Sequence, residues 1–171
     1  SSSVPVVMSS ISILGPPISG QVASKGKLGQ ALGLWLTLAE RRHILLPMQH
    51  SFGFLAVVDE ARTRVNEVDL NQAGERLANN PDAILMDVRE DKEWMTGHAA
   101  GAVHLGKGIL ERDIESAVQD KAAELIMYCG GGFRSVLTAE VAQRMGYTNV
   151  HSLIGGHKAL LNAGWELESG E

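Results

Sequence analysis

Residues 128–135 read Tyr-Cys-Gly-Gly-Gly-Phe-Arg-Ser, and Cys129 is the single cysteine of the chain. A thiol followed by three glycines, an arginine and the start of a helical pattern is a candidate nucleophile held over an anion cradle. Glycine loses more backbone freedom on folding than any other residue, so Gly130, Gly131 and Gly132 in succession need a reason. Close approach of a ligand to their backbone supplies one. Successive N–H groups without side chains in the way can turn inward as a nest for negative charge. The helix that begins near Ser135 adds unpaired N–H groups and a partial positive charge. A thiolate at the rim gains those donors and the charge of Arg134, which favours the ionised, reactive form. The plainer reading of Cys129 is a buried structural thiol, since free cysteine is among the most buried residue types. Phe133 either guides a substrate or packs beside the loop.

The elements that must position this loop follow from periodicity. FGFLAVVDEARTRV (from residue 52) places Leu55, Val58, Ala61 and Val65 at helical spacing, and Asp69 is the expected N-cap of LNQAGERLA. AILMDV (83–88) and ELIMYC (124–129) are short apolar runs bounded by turns, as buried parallel strands are, and AVHL (102–105) is a weaker strand. REDKEWM, ILERDIESAVQ (109–119), SVLTAEVAQRMGY (135–147) and HKALLNAGW (157–165) read as helices, and NVHSLIGG (149–156) as a strand and turn. Strands alternate with helices, which predicts an α/β fold with a small parallel β-sheet and helices on both faces. Ligands gather at the carboxyl ends of the strands of such sheets, where the glycine loop begins.

The chain of 171 residues is 44% hydrophobic and 20% charged, with a net charge of −5. That is enough to bury a core without disulfides, and one cysteine cannot form an internal bridge, which fits a reducing compartment and predicts a cytoplasmic protein. The acidic balance predicts no nucleic-acid partner, and no apolar run reaches membrane-spanning length, so no membrane partner is expected. Residues 1–47 hold eight serines and Lys25, Lys27, Arg41 and Arg42 against Glu40 alone, whereas 48–171 carry eleven Lys and Arg against nineteen Asp and Glu. The division predicts a disordered or non-native leader over 1–47, ahead of Met48, and one domain over 48–171. A transit peptide is the alternative for the leader, and ALGLWLTL (31–38) within it fits one amphipathic helix.

Four residues separate Cys129 from Arg134. The cysteine-dependent protein phosphatases place five there, a ring sized for a phosphoryl group, so the smaller ring suggests a smaller guest such as a sulfur atom on the cysteine. At these residues the sequence resembles the rhodanese family of sulfurtransferases. DVREDKEWMTGHAAGAVHL (87–105), YCGGGFRSVLTAEVAQRMGY (128–147) and LIGGHKALLNAGW (153–165) are similar, in order, to its three signatures. The resemblance covers about residues 66–168. It departs from the family at Ala99-Ala100, commonly Ile-Pro, and at Trp165-Glu166, commonly an aromatic-Pro pair. What it implies is a two-step transfer with Cys129 as nucleophile and carrier of a persulfide. The loop Gly130, Gly131, Gly132, Phe133, Arg134 and Ser135 would bind the substrate, with no metal and no organic cofactor. The implied partners are a small sulfur donor such as thiosulfate and a thiol or cyanide acceptor. The alternative is a sulfur-carrier or protein-binding module, charged by a relay protein such as a cysteine desulfurase.

The remaining polar residues have quieter readings. Arg89 is expected to pair with Glu90 or Glu93 rather than face the site, and Asp87 to organise the loop as a hydrogen-bond acceptor. The run REDKE (89–93) reads as a solvated helix face. Histidines 43, 50, 98, 104, 151 and 157 show no metal-ligand spacing. His98 is expected to hold the turn by hydrogen bonds, and Trp94 and Trp165 to pack.

Overall fold

The computed structural model describes residues 50–169. The expectations for the leader over 1–47, for Met48 and for a helix over 31–38 lie outside the described residues. No helix among those described is long and apolar enough to cross a membrane.

Helix α1 (Phe52–Arg62) opens on Ser51, whose hydroxyl accepts from the Phe54 N–H, and it buries Val58 and Ala61. Strand β1 (Asn66–Val68) follows, then α2 (Leu70–Asn79). Asp69 caps α2 with a reciprocal pair of bonds: its carboxylate accepts from Gln72 N at 2.9 Å, and the Gln72 side chain accepts from Asp69 N at 3.0 Å. Next come β2 (Ile84–Asp87), the short α3 (Asp91–Met95), β3 (His98–Ala99) and β4 (Val103–His104). A 3-10 turn (Lys107–Ile109) leads into α4 (Leu110–Ala117). The chain ends with β5 (Leu125–Tyr128), α5 (Phe133–Arg144), β6 (Val150–Leu153), α6 (Gly156–Asn162) and β7 (Leu167–Glu168).

Five strands form one sheet in the order β1-β6-β5-β2-β4, every pairing parallel. β5 sits at its centre and is buried throughout. Its side chains alternate between two cores, as the two-residue strand period requires. Leu125 and Met127 pack with Val58 and Ala61 of α1, Leu110 and Ile114 of α4 and Val136 and Ala139 of α5. Ile126 and Tyr128 pack with Ala73 of α2 and Leu160 of α6. The α/β fold with a small parallel sheet covered on both faces is therefore observed. Burying a large aliphatic side chain contributes on the order of 1.5–3 kcal/mol, so a strand buried on both faces fixes its own place in the sheet.

Several boundaries differ from the sequence reading, for physical reasons. β1 has three residues, too few for a strand period to register. β3 and β7 form a separate antiparallel pair of two residues each, His98 opposite Glu168 and Ala99 opposite Leu167; neither run carries an alternation. The helix expected over 109–119 is observed as α4, Leu110–Ala117, with Ile109 ending the 3-10 turn before it. Helix α5 begins at Phe133, inside the expected loop, because Gly132 at φ 89° supplies the sharp turn directly before it. Helix α6 stops at Asn162, and Trp165 lies beyond it, packed against the core that holds Val68, Ala73 and Leu160.

Candidate active site

Parallel pairing brings the carboxyl ends of β2, β5 and β6 together. Asp87 lies opposite Tyr128, and Met127 opposite Ser152. Cys129 is the first residue past β5 and is 1% exposed. Its sulfur receives the Gly132 N–H at 3.2 Å, closing a turn across the glycine loop, and the Ser135 hydroxyl lies 3.7 Å away. Both donors stand at the start of α5.

The loop is held from outside by the first turn of α6. The Cys129 carbonyl accepts from His157 N at 2.6 Å and the Gly130 carbonyl from Lys158 N at 3.2 Å. Gly156 (φ 53°) passes so close that a Cβ there would lie 2.1 Å from the Cys129 oxygen. Gly132 is similarly constrained, with φ 89° and a Cβ position 2.9 Å from Gly155 N. Gly131 needs neither allowance: a Cβ there would meet only the Phe133 ring, at 3.8 Å. The three glycines therefore do different work, and the tight pair is Gly132 with Gly156.

Arg134, part of the expected cradle, is drawn to Glu93. Two bonds join them, Nη1 to Oε2 at 2.6 Å and Nη2 to Oε1 at 2.7 Å, and Glu90 stands 3.7 Å away. The hydrogen bond from Arg134, foremost, holds the Glu93 carboxyl below its ordinary range. The same bond, with the charge of Glu93, raises the Arg134 guanidinium above its own. The run REDKE is thus more than a solvated face, since Glu93 belongs to the rim of the site. Phe133 packs between α1 and the loop: its ring centre lies 4.6 Å from that of His50, and the Arg62 guanidinium lies 5.3 Å above it.

Below the loop, Asp87 and Arg89 are buried together at 0% and 3% exposure. Arg89 donates to Asp87 from its backbone N (2.9 Å), Nε (2.9 Å to Oδ2) and Nη2 (2.6 Å), and Nη2 also donates to the Gly97 carbonyl at 2.8 Å. Asp87 is an acceptor that organises the turn, as its place suggested. The partner of Arg89 is Asp87, and the expected pairing with Glu90 or Glu93 is not formed. The Arg89 guanidinium lies 5.8 Å over the ring of Tyr128, whose hydroxyl accepts from Ala99 N. Burial, first, raises the Tyr128 phenol well above its ordinary value, so it stays neutral. His98 Nδ1 stands 3.3 Å from the Trp94 carbonyl, with its ring stacked on that indole at 3.2 Å. Among the described residues no group of three His, Cys, Asp or Glu converges to hold a metal ion.

Sequence reasoning missed Glu93, Gly156, His157 and Ser152 as neighbours of the site. Glu93 lay within the first signature and Gly156 and His157 within the third, whereas Ser152 lay in none.

A parallel sheet that delivers a lone cysteine from its central strand into a glycine loop at a helix N-terminus defines a class of α/β domain with its cysteine loop at the carboxyl end of the sheet. Within that class the chain belongs to the rhodanese-like domain family, whose profile matches residues 69–163. It is 34% identical over 80 residues to the thiosulfate sulfurtransferase GlpE of Coxiella burnetii, covering 47% of this chain and 73% of that protein. It is 32% identical over 110 residues to the tRNA uridine(34) hydroxylase of Prochlorococcus marinus, covering 60% of this chain and 35% of that protein. The matches to such hydroxylases span 24% to 50% of their length. Among solved structures, a Rhodopseudomonas palustris protein of unknown function, described as a possible tyrosine phosphatase, aligns with a TM-score of 0.62 and 28% identity. That alignment covers 72% of this chain and 99% of its neighbour. A thiosulfate sulfurtransferase from Pseudomonas aeruginosa aligns with a TM-score of 0.60 and 23% identity over 70% of this chain and 22% of that one, a likeness of fold.

Proposed function

We propose that the domain transfers sulfane sulfur through a persulfide on Cys129. The observation that carries this reading is the convergence of the Gly132 N–H and the Ser135 hydroxyl on the Cys129 sulfur at the start of α5. In the first half-reaction the Cys129 thiolate attacks the outer sulfur of thiosulfate. The new S–S bond forms as the old one breaks, and sulfite departs with the bonding pair. In the second, a thiolate or cyanide acceptor attacks the outer sulfur of the persulfide and Cys129 leaves as thiolate, which is covalent, ping-pong chemistry. Donors aimed at the sulfur stabilise that leaving thiolate without reorganisation. The steps require no metal or organic cofactor. An excess of acidic residues over 48–171 disfavours a nucleic-acid partner, so the likeness to tRNA hydroxylases is taken as a shared domain. A cytoplasmic setting suits a thiol that must stay reduced.

A second reading has an observation of its own. Cys129 is covered in the free protein, which suits a carrier whose loop is opened and charged by a relay protein such as a cysteine desulfurase. Phosphoryl transfer is disfavoured by the four-residue gap between Cys129 and Arg134.

The deciding experiment is intact mass after brief incubation with thiosulfate and desalting, on the wild type and on Cys129→Ser. A gain of one sulfur on the wild type alone, removed by cyanide, is expected. No gain from thiosulfate, with transfer from a protein persulfide instead, would favour the carrier. Phosphate release from an aryl phosphate that depends on Cys129 would overturn both.

A further inference from the structure

β6 is buried at every position, and its third residue is a serine where a parallel core strand ordinarily carries an aliphatic side chain. Ser152 is 0% exposed, and a buried hydroxyl requires a partner. That partner is Ser135, on the first turn of α5 and equally buried: the two Oγ atoms are 2.9 Å apart. Ser135 in turn lies 3.7 Å from the Cys129 sulfur.

We propose that Ser152 is a positioning residue for the Cys129 sulfur, donating to the Ser135 hydroxyl so that the proton of Ser135 is directed at the thiolate. The proposal rests on Cys129 being the reacting group and deepens that reading. Two features fix the direction of the relay. A serine inside a helix commonly bonds back to the carbonyl four residues earlier, and Thr138 of the same helix does so, donating to the Arg134 carbonyl at 2.7 Å. Ser135 makes no such bond; its neighbours are Ser152 and the sulfur. If Ser135 donated to Ser152 instead, the Ser152 proton would be left buried without an acceptor, which is costly. With Ser152 donating, both protons are satisfied and the relay ends on sulfur.

The consequence is local. The Gly132 N–H supplies one fixed donor to the sulfur, and Ser135 supplies a second whose rotor Ser152 locks. Both favour the anionic sulfur, which is the attacking group of the first half-reaction and the leaving group of the second.

The test is the rate of Cys129 alkylation by iodoacetamide from pH 5.5 to 9 in the wild type, Ser135→Ala, Ser152→Ala and the double variant. Each deletes one oxygen without adding volume. Ser135→Ala is expected to slow alkylation at pH 6.5 by roughly threefold to tenfold, the scale of one hydrogen bond to a charged group at long range, and Ser152→Ala by about threefold. Both pH profiles should move to higher pH. In the Ser135→Ala background, Ser152→Ala should add nothing, because the relay is already cut. Ser152→Thr, which keeps the hydroxyl, should restore the wild-type profile. Unchanged alkylation in Ser152→Ala, or an equal effect of Ser152→Ala in both backgrounds, overturns the relay. Alkylation needs no sulfur donor, so failure to load thiosulfate would count against the sulfurtransferase reading while leaving this result intact.

Discussion

Arg134 and Glu93, 41 residues apart in the chain, face each other through two parallel hydrogen bonds of 2.6 and 2.7 Å beside the glycine loop. The pair lies against Gly130, where a Cβ would sit 3.2 Å from Arg134 Nη2 and 3.5 Å from Glu93 Oε1. The charge of the one arginine in the loop is therefore already offset by a carboxylate.

Replacing Glu93 by Gln keeps an acceptor for Arg134 and removes the opposing charge. Deleting one unit charge beside the donor, in a partly exposed and screened setting, is worth roughly 1 kcal/mol, or about a fivefold lower KM for thiosulfate. The gain should be largest at low ionic strength and shrink toward wild type in high salt, since the pair is partly solvated. A KM that stays at the wild-type value at every salt concentration would mean that Arg134 does not meet the donor.

Gly156→Ala is expected to be among the most damaging single changes near the site. Its Cβ would stand 2.1 Å from the Cys129 carbonyl at a backbone φ of 53°, so either α6 or the loop must move. A loss of about 2–4 kcal/mol follows from strain and overpacking together, with reduced sulfur loading on the folded fraction. Gly131→Ala would make only an ordinary contact with the Phe133 ring, at 3.8 Å, and needs no positive φ, so it should stay within about 0.5 kcal/mol of wild type. Urea denaturation of the two variants separates a loop that needs glycine everywhere from one that needs it at the contact with α6.

The sequence showed the scaffold better than the contacts. The runs at 83–88 and 124–129 are apolar because both faces of their strands are covered, and that signal survives without any partner being known. The same is true of Cys129 at the end of β5, since strand, glycines and helix are contiguous in the chain. Glu93 was read as solvated because its partner lies 41 residues away and no local period encodes it. Arg89 was assigned to the wrong carboxylate for the opposite reason. Glu93 sits at a helical spacing of four and Glu90 is the next residue, but the chain turns after β2, and Asp87 two residues back becomes the acceptor. Ser152 looked like an ordinary strand residue, and its role is visible only once β6 and α5 are packed.

Asp87 and Arg89 form a pair in which neither member can be lost alone. Removing one partner of a buried ion pair leaves the other uncompensated and typically costs about 3–5 kcal/mol. Asp87→Ala should approach that figure, tempered by the bond that Arg89 keeps to the Gly97 carbonyl. The double variant Asp87→Ala, Arg89→Met should recover much of the loss, because the desolvation of both charges is removed with them. Denaturant midpoints of the three proteins test this, and additive losses would show that the two residues act independently.

Two histidines should make the domain less stable as it is acidified. His151 is 6% exposed, and among the described residues its buried Nδ1 has no hydrogen-bond partner, nor does Nε2 of His157 beside the loop. Burial, foremost, lowers both imidazoles below the ordinary value of 6.5, with Arg76 adding to the effect at His151 and Arg89 at His157. A group with a lowered folded value takes up its proton first in the unfolded chain. The unfolded state therefore gains protons as pH falls through about 6.5, and stability declines until the folded-state value is reached. The urea midpoint should be lower at pH 5.5 than at pH 7.5, and His151→Gln should narrow that difference. Combining it with His157→Gln should narrow it further, whereas a difference untouched by either change would assign the acid sensitivity to the carboxylates.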